Sequence, residues 1–470
     1  MKRVLAIALL CFWVTQFAFS QGYKIDVDFE ASDNEAIYMG YYLNGNTYVM
    51  DTANTADGKY LFEGDEPLEK GMYFLAKATT LLFDFVIGED QIFELRAKQN
   101  APSLTKVIGD LDNELFFENM RFNQQMSEEA APFIETVQDS ASNEEAQQQA
   151  REAILAMNQK ASDYQGEVIT KHPSSVLATL FRSGKQVEFP AELAEVSDVD
   201  GQMKKLYYYR NHYWDHFDLG NPMLLRLPRS VYREKADDYL DNLTNPLPDS
   251  IKAAADFLIG QAKKNETTYQ TLVWHLTTKY QTSNIMGMDK IYVHLVDTYF
   301  LTGEMDFWAN DQLKKNLKEK ADQHRNSLIG MTAPNLVLQD LAAQPKALHD
   351  LSNDYNVIYF YDPDCGHCKK ETPVLKDFYE TTSFDVGVYT VSADSSMAKT
   401  MDYIAESGHQ EWMNTNGTKT FGINYLDVYD AFTTPTIFLL NKEKVIIAKK
   451  IKASQLDDAI QQYERIKNQN

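Results

Sequence analysis

The stretch Val357-Ile-Tyr-Phe-Tyr-Asp-Pro-Asp-Cys-Gly-His-Cys-Lys-Lys-Glu-Thr-Pro373 decides the fold of the C-terminal third of this chain. Its first five residues are apolar and predict a buried strand, and residues 369–379 predict a helix. Cys365 and Cys368 therefore lie at a strand-to-helix junction. The N-terminus of a helix favours a thiolate, because its free N–H groups and partial positive charge face the sulfur. The pair therefore predicts thiol–disulfide exchange.

The N-terminus has the pattern of a secretory signal. Lys2 and Arg3 are followed by an apolar run over residues 4–17, and Ala18-Phe19-Ser20 is a small-x-small cleavage site. We expect cleavage before Gln21, because the apolar run is shorter than the roughly 20 residues that span a bilayer. Residues 1–20 are thus predicted to be a signal peptide, with an uncleaved anchor as the alternative.

If the chain is exported, only two of its three cysteines remain in the mature protein. Cys11 would leave with the signal peptide, so the mature protein would keep only Cys365 and Cys368. One pair in a large exported chain is not a disulfide scaffold. Structural zinc needs four ligands, and His409 is the only histidine after the pair. The pair is therefore predicted to be redox-active, and we predict neither a metal nor a cofactor.

Composition excludes one class of partner. The 470-residue chain has a formal net charge of −23 and no cluster of lysines and arginines. Nucleic-acid binding requires such a cluster to neutralise phosphates, so we predict no nucleic-acid partner. Hydrophobic residues make up 44% of the chain and charged residues 24%, which is typical of globular domains.

The first region, residues 22–108, predicts an antiparallel β domain resembling a sandwich. Apolar and polar residues alternate along short segments separated by turn signals such as Asn44-Gly45. The predicted strands are Tyr23–Phe29, Ala36–Tyr42, Thr47–Met50, Tyr60–Glu63, Met72–Ala76, Leu81–Ile87 and Gln91–Arg96.

The second region, residues 109–327, predicts a helical domain. Residues 144–164 are rich in Ala, Gln and Glu, as in an exposed amphipathic helix, and residues 176–181 predict another helix. Residues 203–327 predict several helices separated by prolines, with Tyr, Trp, Leu and Met in their core.

The third region, residues 328–470, alternates strands and helices and has a hairpin before its last helix, which predicts a mixed-sheet α/β domain. The chain as a whole is thus predicted to be multidomain α+β. The predicted strands are Asn335–Gln339, Val357–Tyr361, Val386–Ser392, Thr436–Leu440 and Val445–Lys449. The predicted helices are Lys369–Tyr379, Met397–Ser407 and Gln455–Ile466.

Three further motifs make this third region resemble the thioredoxin fold, and specifically the exported TlpA/ResA-type proteins. Residues 330–335, Gly-Met-Thr-Ala-Pro-Asn, match the G-x-x-A-P-x opening of that group. Thr434-Pro435-Thr436 matches the cis-proline loop. Glu371 follows Cys368 in C-x-x-C-K-K-E-x-P, a spacing at which these proteins carry a glutamate.

The resemblance implies roles for several residues. Cys365 would attack the substrate disulfide and Cys368 would resolve the mixed disulfide. Thr434 and Pro435 would bind the substrate backbone. Glu371 can share a helix face with Cys368 and accept its proton; a solvated surface charge is the alternative.

Departures from the family leave the redox direction open. Thioredoxin has a tryptophan before its first cysteine, where this chain has Asp364, which we expect to raise the pKa of Cys365. Tyr359 replaces thioredoxin's buried acid. His367 completes the Gly-His pair of disulfide isomerases and would stabilise the thiolate, which makes a pair more oxidising.

The mature chain as a whole resembles a group of exported proteins from Bacteroidota-type bacteria, in which a β domain and a helical domain precede the redox domain. The segments that carry this resemblance are Asn211–Asn221, Ile285–Asp289 and Asp362–Pro373.

We therefore expect a periplasmic thiol–disulfide oxidoreductase acting on exported proteins, with reduction favoured over oxidation or isomerisation. It would require a membrane or periplasmic electron donor, and association with a membrane is left open. The alternative is a surface or periplasmic binding protein in which the redox domain is accessory.

Overall fold

The computed structural model describes residues 22–30, 35–55, 58–98, 101–139, 143–283 and 285–468. The predicted signal peptide and Cys11 lie outside these residues. The chain divides into two compact units, the first ending at Tyr239 and the second running from Leu240 to Asn470. The division falls inside the region that we predicted as one helical domain.

In the first unit, the described residues from 22 to 108 form eight strands in two four-stranded sheets. One sheet has the order β4-β1-β7-β8 and the other β3-β2-β5-β6. The strands are β1 (Tyr23–Glu30), β2 (Ile37–Leu43), β3 (Asn46–Ala53), β4 (Lys59–Gly64), β5 (Gly71–Lys77), β6 (Thr80–Ile87), β7 (Ile92–Lys98) and β8 (Lys106–Ile108).

Alternation of side chains builds the core between these sheets. Along β1, Ile25, Val27 and Phe29 are buried, whereas the residues between them are more exposed. Phe29 of β1 stacks on Phe83 of β6, with ring centroids 6.1 Å apart, so side chains of the two sheets meet. The predicted antiparallel β domain is confirmed, with one difference: β1 and β7 pair in parallel. The sequence prediction also missed β8, which is only three residues long.

Six α-helices follow in the part of the chain that the structure describes, and the last of them spans the division between Tyr239 and Leu240. They are α1 (Leu111–Gln138), α2 (Glu144–Lys171), α3 (Val176–Ser183), α4 (Ala191–Ala194), α5 (Val199–His212) and α6 (Val231–Asn242). α1 begins at a cap, because the Asp110 carboxylate accepts hydrogen bonds from the backbone N–H groups of Asp112 and Asn113.

A buried amide joins α1 to the second sheet. The Asn113 side chain is fully buried; its Oδ1 accepts from the Val86 N–H at 2.9 Å and its Nδ2 donates to the Val86 carbonyl at 2.7 Å. Val86 belongs to β6, an edge strand of its sheet. One side chain therefore satisfies both backbone groups of a residue on an otherwise unpaired edge.

Four more α-helices follow among the described residues of the second unit. They are α7 (Pro248–Ala262), α8 (Glu266–Gln281), α9 (Asp289–Leu295) and α10 (Asp311–Arg325). Leu258, Leu272 and Ile291 are fully buried and form part of the core between α7, α8 and α9. The helical middle of the chain is confirmed.

The rest of the second unit is a seven-stranded mixed sheet with helices on both faces, in the order β10-β9-β13-β12-β11-β14-β15. The strands are β9 (Val337–Asp340), β10 (Pro345–Ala347), β11 (Tyr355–Tyr361), β12 (Val386–Ser392), β13 (Met413–Thr420), β14 (Thr436–Asn441) and β15 (Ile446–Lys449). The helices are α11 (Gly366–Thr381), α12 (Met397–Ser407), α13 (Tyr425–Val428) and α14 (Leu456–Lys467).

The central strand β11 explains why its sequence is continuously apolar. Val357 and Tyr359 pack into a core that includes residues of α11 and α14, whereas Ile358 and Phe360 pack into the core on the opposite face. A strand covered on both faces needs apolar residues at every position. The predicted thioredoxin-like α/β domain is confirmed.

Strand β13 was missed because its residues are polar. Asn414, Thr415 and Asn416 are nonetheless buried. The Thr415 hydroxyl donates to the Thr390 carbonyl at 2.6 Å, and the Asn416 amide donates to the Asp394 carbonyl at 2.8 Å. Tertiary partners therefore satisfy the polar groups that made this segment resemble a loop.

Replacing Asn113 with alanine tests the link between α1 and β6. We expect Asn113→Ala to lower the free energy of unfolding by about 2–4 kcal/mol, because the Val86 N–H and C=O lose their partners in a buried site. Urea denaturation followed by circular dichroism measures the change. Asn123→Ala, at an exposed position of the same helix, is the matched control and should change stability little. Equal effects of the two substitutions would contradict the assignment.

Candidate active site

The strand-to-helix junction after β11 positions the two cysteines. The Cys365 N–H donates to the Asp362 carbonyl at 3.1 Å, which closes a turn after the strand. Cys365 then occupies the N-cap position of α11, and Gly366 is the first helical residue. The first sulfur therefore lies where the free N–H groups of the helix point.

Cys365 has the properties of an attacking thiol. It is partly exposed, and its Sγ donates to the Thr434 carbonyl at 3.3 Å. Burial acts to raise the pKa of Cys365, but hydrogen bonds from the backbone and thiol of Cys368, from the side chain of Thr434 and from the backbone of His367 lower it below its ordinary value. The thiolate is therefore more populated near neutral pH than that of a free cysteine.

Cys368 has the opposite properties. Its side chain is completely buried, and burial raises its pKa to about 12. A thiol in this state stays protonated and inaccessible until a reaction at Cys365 brings a disulfide beside it. The structure thus makes the two cysteines chemically unequal.

The predicted cis-proline loop lies against the first cysteine. The Thr434–Pro435 peptide bond is cis, as the sequence predicted. Since the Thr434 carbonyl accepts the Cys365 hydrogen bond, this loop and the nucleophile share one surface.

Glu371 lies in a groove beside the reactive pair. Its side chain is half-buried, and its Oε1 accepts a hydrogen bond from the Ala453 N–H at 2.6 Å. The groove has a volume of about 520 Å³. Besides Glu371, its lining includes His367, Lys370, Thr433, Pro435 and Lys452. The carboxylate is therefore neither a freely solvated surface charge nor fully enclosed.

His367 is exposed and on the rim of the same groove. In the structure, His367 lowers the pKa of Cys365 through a hydrogen bond from its backbone N–H. The predicted effect of its imidazole on the thiolate stays a prediction.

A chain of buried hydroxyl groups behind Cys368 was not found by sequence analysis. The Tyr359 hydroxyl lies 2.8 Å from Thr372 Oγ1 and 3.5 Å from the Cys368 carbonyl, and Thr372 Oγ1 lies 2.7 Å from the Tyr403 hydroxyl. Burial raises the pKa of Tyr403 to about 12 and that of Tyr359 further. These groups therefore stay protonated at neutral pH. The signal available in sequence was Thr372, four residues after Cys368 on the same helix.

The expected effect of Asp364 on the pKa of Cys365 is not among the largest influences on that thiol, and it stays a prediction. Asp364 is exposed, and its carboxylate accepts a hydrogen bond from Lys399 Nζ at 2.6 Å. A paired, solvated carboxylate is screened from the sulfur, whereas the backbone N–H groups point directly at it. The pKa of Cys365 is accordingly lowered.

Carboxylates of Asp362, Asp364 and Asp394 lie within 4.8 Å of one another, in the manner of a metal site. Lys399 Nζ already bridges Asp364 and Asp394, at 2.6 and 3.3 Å. A lysine thus supplies the positive charge of this cluster.

Among the described residues, no helix combines the length and apolar character needed to cross a bilayer.

Two family models match the chain. The "AhpC/TSA family" matches residues 329–449, and the "Domain of unknown function (DUF5106)" matches residues 136–323. Thiol-disulfide oxidoreductase ResA of Bacillus subtilis (strain 168) is 27% identical over 144 residues, which is 28% of this chain and 73% of the relative. A ResA of Bacillus cereus is 26% identical over 123 residues, covering 26% of this chain and 68% of the relative.

Parts of the chain are also similar to solved structures. A domain of a possible thiol-disulfide isomerase from Cytophaga hutchinsonii is 30% identical, and the match covers 30% of this chain and 97% of that one, with a TM-score of 0.29. A thioredoxin-like protein from Bacteroides caccae is 17% identical, and the match covers 58% of this chain and 96% of that one, with a TM-score of 0.46.

The unequal cysteines lead to a test by alkylation. In the reduced protein we expect iodoacetamide to modify Cys365 with a pH midpoint below about 8.5, the value for a free cysteine, because a lowered pKa populates the thiolate at lower pH. Peptide mapping by mass spectrometry at a series of pH values measures the midpoint. Cys365→Ser should react slowly at neutral pH, since Cys368 is buried and protonated. Comparable alkylation of both cysteines at pH 7 would contradict this assignment.

Proposed function

Because the chain belongs to the thioredoxin-like thiol–disulfide oxidoreductases of the TlpA/ResA type, we propose that it reduces disulfides of exported proteins in the periplasm. The observation that carries the proposal is the pairing of a partly exposed Cys365 of lowered pKa with a buried Cys368 of raised pKa. Such asymmetry assigns one thiol to attack and the other to resolution.

The reaction begins at Cys365. Its thiolate attacks one sulfur of the substrate disulfide, forming a mixed disulfide and releasing the other substrate sulfur as a thiolate. Cys368 then loses its proton and attacks the Cys365 sulfur. This forms the Cys365–Cys368 disulfide and releases the second substrate sulfur. Two electrons pass to the substrate, so an external dithiol donor must reduce the pair again.

Glu371 is the proton acceptor for Cys368 in this scheme. Tyr359 and Tyr403 are protonated and hydrogen-bonded, so neither supplies a base near Cys368. Glu371 borders the groove, and one of its oxygens is held by the Ala453 N–H. This bond orients the carboxylate while its second oxygen stays available for proton transfer.

The substrate would bind along the loop that contains Thr434 and Pro435. The Thr434 carbonyl already lies at hydrogen-bond distance from Cys365 Sγ. A substrate backbone paired with this loop therefore brings its own sulfur next to the nucleophile. His367 on the rim of the groove would stabilise the thiolate form.

The periplasmic location in this proposal rests on the signal-peptide pattern of residues 1–20. The redox potential decides between reduction and the alternatives. A value near about −270 mV supports a reductase, and one between about −120 and −180 mV supports an oxidase or isomerase.

Cysteine variants test the reaction. The wild-type protein should accelerate dithiothreitol-dependent precipitation of insulin, and Cys365→Ser should lose this acceleration entirely, because no attacking thiolate is left. Cys368→Ala should instead accumulate mixed disulfides with its substrates, which mass spectrometry of a periplasmic extract identifies. A wild-type protein that does not reduce insulin and whose cysteines are not alkylated quickly at neutral pH would refute the proposal.

The role of Glu371 predicts a defect in one step. Glu371→Gln should slow resolution of the mixed disulfide by about 10-fold or more, since general-base catalysis contributes 10²–10⁴-fold and water can replace part of it. Stopped-flow measurement of the release of a chromophoric thiol from a preformed mixed disulfide follows this step. The initial attack by Cys365 should be unchanged.

Glu380→Gln is the matched control, because Glu380 is exposed on the same helix. If Glu371→Gln resolves the mixed disulfide at the wild-type rate, Glu371 is not the proton acceptor. Its role would then be limited to accepting the hydrogen bond from the Ala453 N–H.

A further inference from the structure

The loop that precedes Pro435 is held by an acidic side chain with little exposure. Asp430 lies four residues before Thr434, and its side chain is only 8% exposed. A buried carboxylate requires charged partners or hydrogen bonds. The partners of Asp430 therefore determine where this end of the loop lies.

Two of these partners come from helix α10 of the helical region. Lys320 Nζ donates to Asp430 Oδ1 at 2.9 Å, and His324 Nδ1 lies 3.5 Å from Asp430 Oδ2. Lys450, which follows β15, also donates to the Asp430 carboxylate. Burial acts to raise the pKa of Asp430, but its bonds to Lys450 and Lys320 and the charge of His324 bring it well below its ordinary value.

A second buried ion pair continues from this one. Lys449 is 3% exposed, and its Nζ donates to the Asp289 carboxylate of α9 and to the Ser327 carbonyl at 2.7 Å. His324 Nδ1 lies 3.6 Å from Asp289 Oδ2, so this ring lies between the carboxylates of Asp289 and Asp430. The helical region and the redox domain thus share one continuous buried charge cluster.

The loop has another contact with α10. Lys320 Nζ lies 5.0 Å from the centre of the Phe432 ring, within cation–π distance. Phe432 is more than half exposed and directly precedes Thr433 and Thr434. Lys320 therefore contacts the loop at two positions, on either side of Ala431.

We propose that Asp289, Lys320 and His324 are positioning residues for the substrate-binding loop. The end of the helical region holds Asp430 and Phe432, and through them it keeps Thr434 opposite Cys365. The helical region then contributes to substrate binding, because it holds the loop in the conformation that pairs with the substrate backbone. This inference rests on the proposed function.

Two disulfide substrates of different size separate loop positioning from general damage. A peptide disulfide uses the loop backbone, whereas a small disulfide such as hydroxyethyl disulfide reaches Cys365 without it. For Lys320→Gln and Asp289→Asn we expect a 5- to 10-fold rise in KM for the peptide with kcat within 2-fold. The rate with the small disulfide should stay at the wild-type level. Unchanged KM for the peptide in both variants would overturn the proposal.

Asp297→Asn is the matched control within the same helical region. Asp297 pairs with Arg325 of α10 at 2.7 Å and does not contact the loop. Its replacement should leave KM for both substrates unchanged. If KM for the peptide rises equally in Asp297→Asn, destabilisation of the helices explains the rise in all three variants. That result would overturn the proposal.

A double-mutant cycle strengthens the test and avoids the variant most at risk of misfolding, Asp289→Asn, which leaves Lys449 buried without its carboxylate. Lys320→Gln and Asp430→Asn remove the same contact. The rise in KM of the double variant should therefore be smaller than the combined rises of the two single variants. Additive effects would refute coupling between α10 and the loop.

Failure of the proposed function gives a different result. If the wild-type protein reduces neither substrate, the proposed function itself fails. If the wild-type protein reduces both substrates and the variants have wild-type KM values, only the role of the helical region fails.

Discussion

The hydrogen bonds between the start of α11 and the Cys365 sulfur are the interaction on which this site depends. They exist because β11 is buried on both faces and ends in a turn that places Cys365 at the N-cap of the helix. The same helix buries Cys368 one turn further on. A single strand-to-helix junction thus creates one thiol of lowered pKa and another of raised pKa, although the two residues are chemically identical.

Groups around the two cysteines preserve the difference between their pKa values. Behind Cys368, Tyr359, Thr372 and Tyr403 satisfy one another with hydrogen bonds and introduce no charge. In front of Cys365, Lys399 neutralises the nearby carboxylate of Asp364. The sulfur therefore lies chiefly against the helix N-terminus and the Thr434 loop, with the Asp364 carboxylate already paired.

The second unit also changes how the helical region is understood. One family model covers residues 136–323 and another covers residues 329–449, yet residues on both sides of this boundary form one buried charge cluster. Lys449 and Asp430 would be costly to bury without the partners that α9 and α10 supply. The redox domain and the helices before it are therefore physically interdependent in this chain.

Residues 357–373 by themselves predicted the buried strand, the helix and the cysteine pair at their junction, because hydrophobic period and helix capping are local properties. The thioredoxin-like fold was implied by the resemblance that Glu371 and two motifs outside this stretch carry. The repeated alternation in residues 22–98 likewise predicted seven strands within a few residues of their observed limits. Polar strand β13 and the parallel pairing of β1 with β7 could not be predicted this way, since both depend on partners distant in the sequence. Only the tertiary structure decided that Asp364 is neutralised by Lys399, that Tyr359 joins a hydroxyl chain and that Asp430 is held by α10. The physical reason is that pKa values and buried charges depend on distances between side chains, which spacing along the chain does not specify.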